Sequence, residues 1–381
     1  MKEFKTSRRD LIKTSVAGAA VGALGVLPGR VAQAAEAEKL QIKIAGYDYD
    51  RVRAIMDGQV GIEGADVSFD VLDIYGVNKD AFGPEPKYDV LELGLTPFIA
   101  KYVNEDFRAH TLIPVFISRT FRHRNIYVHV DAGIEKPEDL RGKRVGTPGY
   151  GMASPTWIRG FLLDGYGVKA DDMRWIEATK SSDKGELSDS GWSAFNADGS
   201  SRYFFSADFP IKQGPPGVDE SELLLSGGCD ALITAITPKA FLDGNPKIKR
   251  LFPDFRAAEK DYFKKTGLFP IMHVVAIRNA SIKANPGLPK AVFEMYSKAK
   301  QKAYANLETT TSLKVTLPWV TQEFEDTRKL MGKNYWPYGI EANRKELEAV
   351  MRYTHEQGLV KHRLKFEELF HPSTLELKED T

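Results

Sequence analysis

The stretch Leu40-Gln41-Ile42-Lys43-Ile44-Ala45-Gly46-Tyr47-Asp48-Tyr49-Asp50 (residues 40–50) decides how the whole chain is read. Apolar and polar side chains alternate from Leu40 to Ala45, the period of a β-strand, and the glycine and polar residues behind it end that strand. Residues 51–57 carry a helical pattern, and alternation resumes from Ala65 to Leu72. Tyr88-Asp89-Val90-Leu91-Glu92-Leu93 is a further short strand, followed by Gly94 and a helix near Pro97–Val103. Strands separated by helices imply an α/β protein with a mostly parallel sheet covered on both faces. Ligands of such sheets lie beyond the carboxyl ends of the strands, which places Tyr47 and the segment from Glu92 to Thr96 beside a site.

A second unit of the same kind follows. It begins after Asn125 to Val130, and Pro137 to Gly146 reads as a short helix, a turn and a new strand. The turn Gly149-Tyr150-Gly151-Met152-Ala153-Ser154 then opens a helix carrying Trp157-Ile158-Arg159-Gly160. Residues 180–217 are rich in Ser, Asp, Gly and Pro and read as a long loop or inserted hairpin, a length that marks a functional or mobile segment. Glu220–Ser226 is helical and Cys229–Thr234 a buried strand, while His273–Arg278 crosses back and Pro289–Leu307 is strongly helical. The rest, to about Phe370, is mostly helical around a break at Tyr335–Gly339. Two lobes, two crossings and a C-terminal return form the plan of a two-lobed type II periplasmic-binding-protein-like fold with its ligand cleft between the lobes. Residues 40–128 are the first part of lobe 1, 129–272 form lobe 2 with the long loop, and 273–381 return to lobe 1.

The length of 381 residues suits two lobes. With 42% hydrophobic residues the chain can bury a large core, and 53 Lys+Arg against 52 Asp+Glu leave no basic footprint for nucleic acid. A single cysteine, Cys229, excludes an intramolecular disulfide and any multi-cysteine metal site. Ser7-Arg8-Arg9-Asp10-Leu11-Ile12-Lys13, an apolar run from about Thr14 to Leu27, and Ala32-Gln33-Ala34 occur in the order of a twin-arginine signal peptide. The expectation is export by the twin-arginine machinery, cleavage after Ala34 and a periplasmic location. The mature chain then carries 47 Lys+Arg and 50 Asp+Glu, a net charge of −3.

Arg119, Arg122 and His123 fall within five residues just before a crossing strand. Guanidinium groups bind carboxylates bidentately, two of them suit a dicarboxylate, and a histidine can donate a proton near neutral pH. One arginine in a structural ion pair, with His123 merely packed, is the competing reading. The turn ending at Ser154 offers backbone N–H groups and a helix dipole to an anion, or is an ordinary strand–turn–helix. Tyr150 either stacks on a ring or covers the hinge; Arg159 either reaches the cleft or makes a salt bridge. His273 either faces His123 across the cleft or is a buried, hydrogen-bonded histidine. Asp48, Asp50, Arg51, Glu92 and Thr96 sit at strand ends and fit ligand contacts or local pairs. Trp319, Trp336 and Tyr338 are read as packing. No histidine pair has metal spacing, and there is no phosphate loop or dinucleotide fingerprint, so neither a metal nor a cofactor is expected.

Tyr49-Asp50-Arg51, Ser118-Arg119-Thr120-Phe121-Arg122-His123, Ile126-Tyr127-Val128 and Trp157-Ile158-Arg159-Gly160 resemble the 4,5-dihydroxyphthalate decarboxylase family. So do Arg250-Leu251-Phe252-Pro253-Asp254-Phe255, Phe269-Pro270-Ile271-Met272-His273, Trp336-Pro337-Tyr338-Gly339 and His355-Glu356-Gln357-Gly358-Leu359. The resemblance runs from about residue 40 to 372. It departs in the export signal, and after Trp175, where Ile176-Glu177-Ala178-Thr179-Lys180 replaces an expected Gly-Gly turn. The resemblance implies cofactor-free decarboxylation of a dihydroxylated aromatic acid. Arg119 and Arg122 would hold the carboxylates, His123 would give the proton, and Tyr127 or His273 would orient the ring, with Tyr47, Thr96, Tyr150, Ser154 and Arg159 around the substrate. The export signal and bilobed plan imply an alternative, a solute-binding protein that hands a small carboxylate to a membrane permease without chemistry.

Overall fold

The computed structural model describes residues 39–181, 185–186, 193, 195, 203, 205 and 208–379. Residues 1–34, expected to be an export signal, and much of the 180–217 loop lie outside the described residues. Lys39 onward forms one unit built on two sheets.

The first half supplies β1 (Leu40–Gly46), α1 (Asp50–Met56), β2 (Ala65–Val71), α2 (Ile74–Ala81), β3 (Val90–Gly94), α3 (Leu95–Asn104) and β4 (His110–Arg119). The chain then enters β5 (Ile126–His129), β6 (Arg144–Thr147), α4 (Ala153–Tyr166), β7 (Arg174–Glu177), the short hairpin β8 (Lys180–Ser181) and β9 (Gly185–Glu186), and β10 (Ile211–Gln213). Next come α5 (Glu220–Leu225), β11 (Ala231–Ile233), α6 (Lys239–Leu242), β12 (Ile248–Arg250) and α7 (Phe255–Thr266). The return brings β13 (Ile271–Arg278), α8 (Asn279–Ala284), α9 (Leu288–Glu308), α10 (Val320–Met331) and α11 (Arg344–Glu356).

The first sheet has the order β2-β1-β3-β13-β4, the second β10-β7-β6-β11-β5-β12. Both are parallel at one end, as the strand–helix alternation predicts, but each takes in an antiparallel strand where the chain changes lobe. β5 runs against β11 and β12, and β13 runs against β3 and β4. The sheet change therefore falls at residues 120–125, ahead of the boundary placed after residue 128, because Ile126–His129 pairs wholly within the second sheet. The return is likewise complete by Ile271, opposite Arg119.

Central strands buried on both faces read as unbroken apolar runs, and β3 and β13 do so up to the terminal Arg278 except for Glu92 and His273. α9 buries Val292, Met295, Tyr296, Ala299 and Ala303 at helical spacing against α1 and β4, each large apolar side chain contributing roughly 1.5–3 kcal/mol. α4 packs on α11 so closely that a Cβ at Gly160 would collide with the Tyr353 ring. The Tyr335–Gly339 break is held by Trp336, whose Nε1 donates to the Phe116 carbonyl at 2.8 Å, and by a left-handed Gly339 (φ +93°). Trp319 is 67% exposed, contrary to its reading as a packing residue, because it stands at the end of the surface connection into α10. α7 carries no clear apolar stripe in sequence and is set by its ends: Asp254 accepts the Ala257 N–H, and Gly267 closes it with φ +71°.

Candidate functional site

At the carboxyl end of the first sheet, β3 places a carboxylate inside the core. Glu92 is 3% exposed, and such a group needs donors. It has three. The Tyr49 hydroxyl donates to Oε1 at 2.7 Å, the Tyr47 N–H to Oε2 at 3.0 Å, and His273 Nδ1 lies 2.6 Å from Oε1. Register explains the last contact: Val275 is opposite Glu92 and His273 opposite Gly94, so His273 is the same-face diagonal neighbour of Glu92. Gly46 makes room for the carboxylate, since a Cβ there would stand 3.0 Å from Oε2. Burial and the Glu92 charge both push the Tyr49 hydroxyl far above its ordinary pKa, which keeps it a neutral donor. The carboxylate on Nδ1 fixes the imidazole orientation and leaves Nε2 for the cavity that His273 lines.

That cavity, about 180 Å³, lies between the lobes and is small beside the roughly 300–1,000 Å³ usual for ligand sites. Tyr47, Ile74, Tyr75, Asn78, Gly94, Pro97, Met272 and His273 come from the first lobe, Met152 to Ser154, Ala235 and Ile236 from the second, and Arg122 from the crossover. The Tyr47 ring stands 6.1 Å from the His273 ring at 18°, and its hydroxyl accepts the Ile74 N–H at 3.0 Å. The N-terminal turn of α4 opens at the cavity with no side-chain cap, so its first N–H groups have no intrahelical acceptor. Ser154 Oγ donates to the Thr234 carbonyl at 3.2 Å.

Arg122 is the guanidinium of this cavity, and its partners are neutral: the Ala235 carbonyl at 2.8 Å, Asn125 Oδ1 at 3.4 Å and the Met272 sulfur at 3.4 Å. Burial, and then the nearby Arg124 charge, bring its pKa down to about 9. A half-buried cation whose hydrogen-bond partners are all neutral, with Glu259 its nearby carboxylate, still has attraction to offer an anionic ligand group. Of the ten side chains that the family resemblance sets around the substrate, Tyr47, Arg122, Ser154 and His273 are brought together here.

The other six are elsewhere. Arg119 does not clamp a ligand: its guanidinium is spent on Glu346 Oε1 at 2.7 Å, Asn343 Oδ1 at 2.6 Å and the Phe269 carbonyl at 2.6 Å. It is the structural ion pair of the competing reading. His123 is not a proton donor to the cavity either. Its ring stacks 4.2 Å from Phe161, between Phe252 and Tyr262, Nδ1 has no partner, and burial lowers its pKa to about 4. Thr96 Oγ1 donates to the Gly151 carbonyl at 2.8 Å, tying the lobes rather than touching the cavity. Tyr127 lies in the second lobe's own core, 5.0 Å from Phe241, and cannot orient a ring in the cleft. Tyr150 is enclosed by Trp175, Phe205 and Phe209. Arg159 covers its ring at 3.6 Å and donates to the Tyr150 carbonyl and Gln357 Oε1, both at 2.7 Å, away from this cavity.

Glu92, read in the sequence as a strand-end residue fitting a ligand contact or a local pair, is the local pair, and Asn78 is a polar residue of the site that the sequence reading did not name. Glu92 had a signal, a lone carboxylate within an apolar strand; Asn78, one of the buried residues of α2, had none. Among the described residues no group of three or more His, Cys, Asp or Glu side chains is arranged to hold a metal ion, and no helix is long and apolar enough to cross a membrane.

A family model described as NMT1/THI5 like matches residues 117–190. A Comamonas testosteroni protein named 4,5-dihydroxyphthalate decarboxylase is 35% identical over 343 residues, 89% of this chain and 98% of its own. A Pseudomonas putida protein of the same name is 34% identical over 230 residues, 59% of this chain and 82% of its own. Among solved structures, the periplasmic aliphatic sulphonate binding protein of Escherichia coli aligns with 87% of this chain and 97% of its own, at 12% identity and a TM-score of 0.46.

Proposed function

The chain belongs to the 4,5-dihydroxyphthalate decarboxylase family, and from that premise we propose that it removes one carboxyl group from a dihydroxylated aromatic dicarboxylate, with His273 as the proton donor. The observation that carries the reading is the meeting of Arg122 and the Glu92-held His273 on one small cavity between the lobes. Arg122 and the first turn of α4 take the carboxylates; Tyr47 and the Met152 and Met272 side chains flank the ring. The hydroxyl para to the leaving carboxylate feeds electron density into the ring carbon that bears it. His273 Nε2 delivers a proton to that carbon, the carbon–carbon bond breaks with its electron pair left on the ring, and carbon dioxide departs. The product is 3,4-dihydroxybenzoate, and His273 regains its proton from water. Glu92 holds the imidazole in place throughout.

The test is incubation of the purified protein with 4,5-dihydroxyphthalate, followed by mass spectrometry of both acids. Carbon dioxide and 3,4-dihydroxybenzoate should form in proportion to protein, and His273→Gln should lower kcat by roughly 10²- to 10⁴-fold, the span of one general acid. Intact ligand recovered with a raised melting temperature would replace the enzyme reading by a receptor for the same acid. Unchanged turnover in His273→Gln would remove His273 from the chemistry. The twin-arginine segment supports a periplasmic location, which fractionation of cells carrying the full chain tests.

A further inference from the structure

Asn78 differs from every other residue of the cavity. It lies on α2, is 2% exposed, and neither Oδ1 nor Nδ2 has a hydrogen-bond partner. A buried amide with both ends unpaired is unfavourable and rare in folded proteins, so a polar group that meets it is bound the more strongly. The side chain lines the same cavity as Arg122 and His273. Its Nδ2 lies beside Gly94, 4.0 Å from where a Cβ would stand, and Gly94 is the residue opposite His273 in the sheet. Asn78 thus brings a donor and an acceptor to the wall that Tyr47, Ile74, Pro97 and His273 also line.

Resting on the function proposed above, we propose that Asn78 is the residue that recognises the adjacent pair of ring hydroxyls and so sets specificity for a catechol-type acid. A carboxamide presents one acceptor and two donor hydrogens on neighbouring atoms; two vicinal hydroxyls present a donor hydrogen beside an acceptor oxygen. Oδ1 accepts from one hydroxyl while Nδ2 donates to the oxygen of its neighbour. When the hydroxyl bound by Oδ1 is the one para to the leaving carboxylate, the same contact favours electron release into the carbon that takes the proton. A ring with one hydroxyl leaves one amide atom unpaired, and a ring with none leaves both, which is how a buried polar site rejects an analogue.

The experiment is titration calorimetry of the full chain with 4,5-dihydroxyphthalate and with phthalate, in a His273→Gln background so that both ligands stay intact. The background protein should bind the dihydroxy acid roughly a hundredfold more tightly than phthalate. Adding Asn78→Leu should bring that ratio below about tenfold, with phthalate affinity kept or improved, since the apolar side chain removes the unpaired amide. Asn78→Ala serves if the leucine variant does not fold. An unchanged ratio in a folded variant overturns the inference, as does a background protein that binds the two acids equally or binds neither. Because the readout is a ratio of affinities, absence of turnover in the wild-type protein removes the decarboxylase reading alone. Turnover with an unchanged ratio removes only the role of Asn78.

Discussion

Replacing His123 by phenylalanine separates the structure from the most natural reading of the motif around it. The imidazole is packed as an aromatic ring, face to face with Phe161, and is neutral because burial lowers its pKa from 6.5 to about 4. In the unfolded chain the same ring takes a proton below about pH 6.5. A depressed native pKa means that its stabilising effect is complete above that value, falls as the pH drops, and levels off below about pH 4. At pH 5 the difference in proton binding amounts to about 2 kcal/mol, and at pH 4 to about 3 kcal/mol. Phenylalanine abolishes this contribution at every pH. It adds a fixed packing cost of roughly 1–3 kcal/mol, because the phenyl ring is larger. Urea unfolding at pH 7.5 and pH 5.0, followed by tryptophan fluorescence, isolates the titration. The stability of His123→Phe relative to wild type should rise by about 2 kcal/mol between the two conditions. His110, also buried and lowered to about 4, and Glu259 on α7 are present in both proteins and drop out of the difference. Turnover at pH 7.5 should stay within a few-fold of wild type. A gap that does not change with pH, together with a hundredfold loss of turnover, would return the proton donor to position 123.

Three further outcomes follow from the same geometry. Arg122→Gln should raise KM for a dicarboxylate by roughly ten- to a hundredfold with little change in melting temperature, while Arg119→Gln should destabilise by about 3–5 kcal/mol by stranding Glu346; calorimetry and steady-state kinetics on both variants read the contrast. Glu92→Gln should lower kcat by roughly tenfold or more and alter its pH profile, because His273 loses the carboxylate that orients it; an effect confined to KM would contradict that role. Gly160→Ala should cost about 1–3 kcal/mol in thermal unfolding, since α4 must move off the Tyr353 ring, and Tyr353→Leu should recover part of it.

Much of the fold was legible because periodicity reports burial. The alternation of residues 40–45, the helical run from residue 289 and the apolar β13 all became the elements expected. α7 was missed because a helix fixed by its two ends shows no stripe. The site was legible only in part, for a geometric reason. Arg119, Arg122 and His123 are close in sequence, but the chain leaves β4 at Arg119 and turns through residues 120–125, so the three side chains end in three environments. One pairs with Glu346, one enters the cavity and one stacks among aromatics. Glu92 and His273 are 181 residues apart, and only the register of β3 with β13 joins them. Each was nevertheless a polar residue inside an apolar strand, and two such exceptions in central strands are natural partners for one another.

The position of β13 also says something about the order in which the molecule is completed. β3 and β4 are neighbours in sequence, yet the strand that joins them begins at Ile271, after the whole second sheet has been made. On a ribosome the first lobe waits with two unpaired inner edges until the chain has come back to it, a contact of long range and therefore slow to close. His273 arrives on that last strand. A chain ending before Ile271 consequently holds Glu92, Tyr47, Asn78 and Arg122 without the imidazole. The Glu92–His273 pair therefore forms only through that late strand pairing.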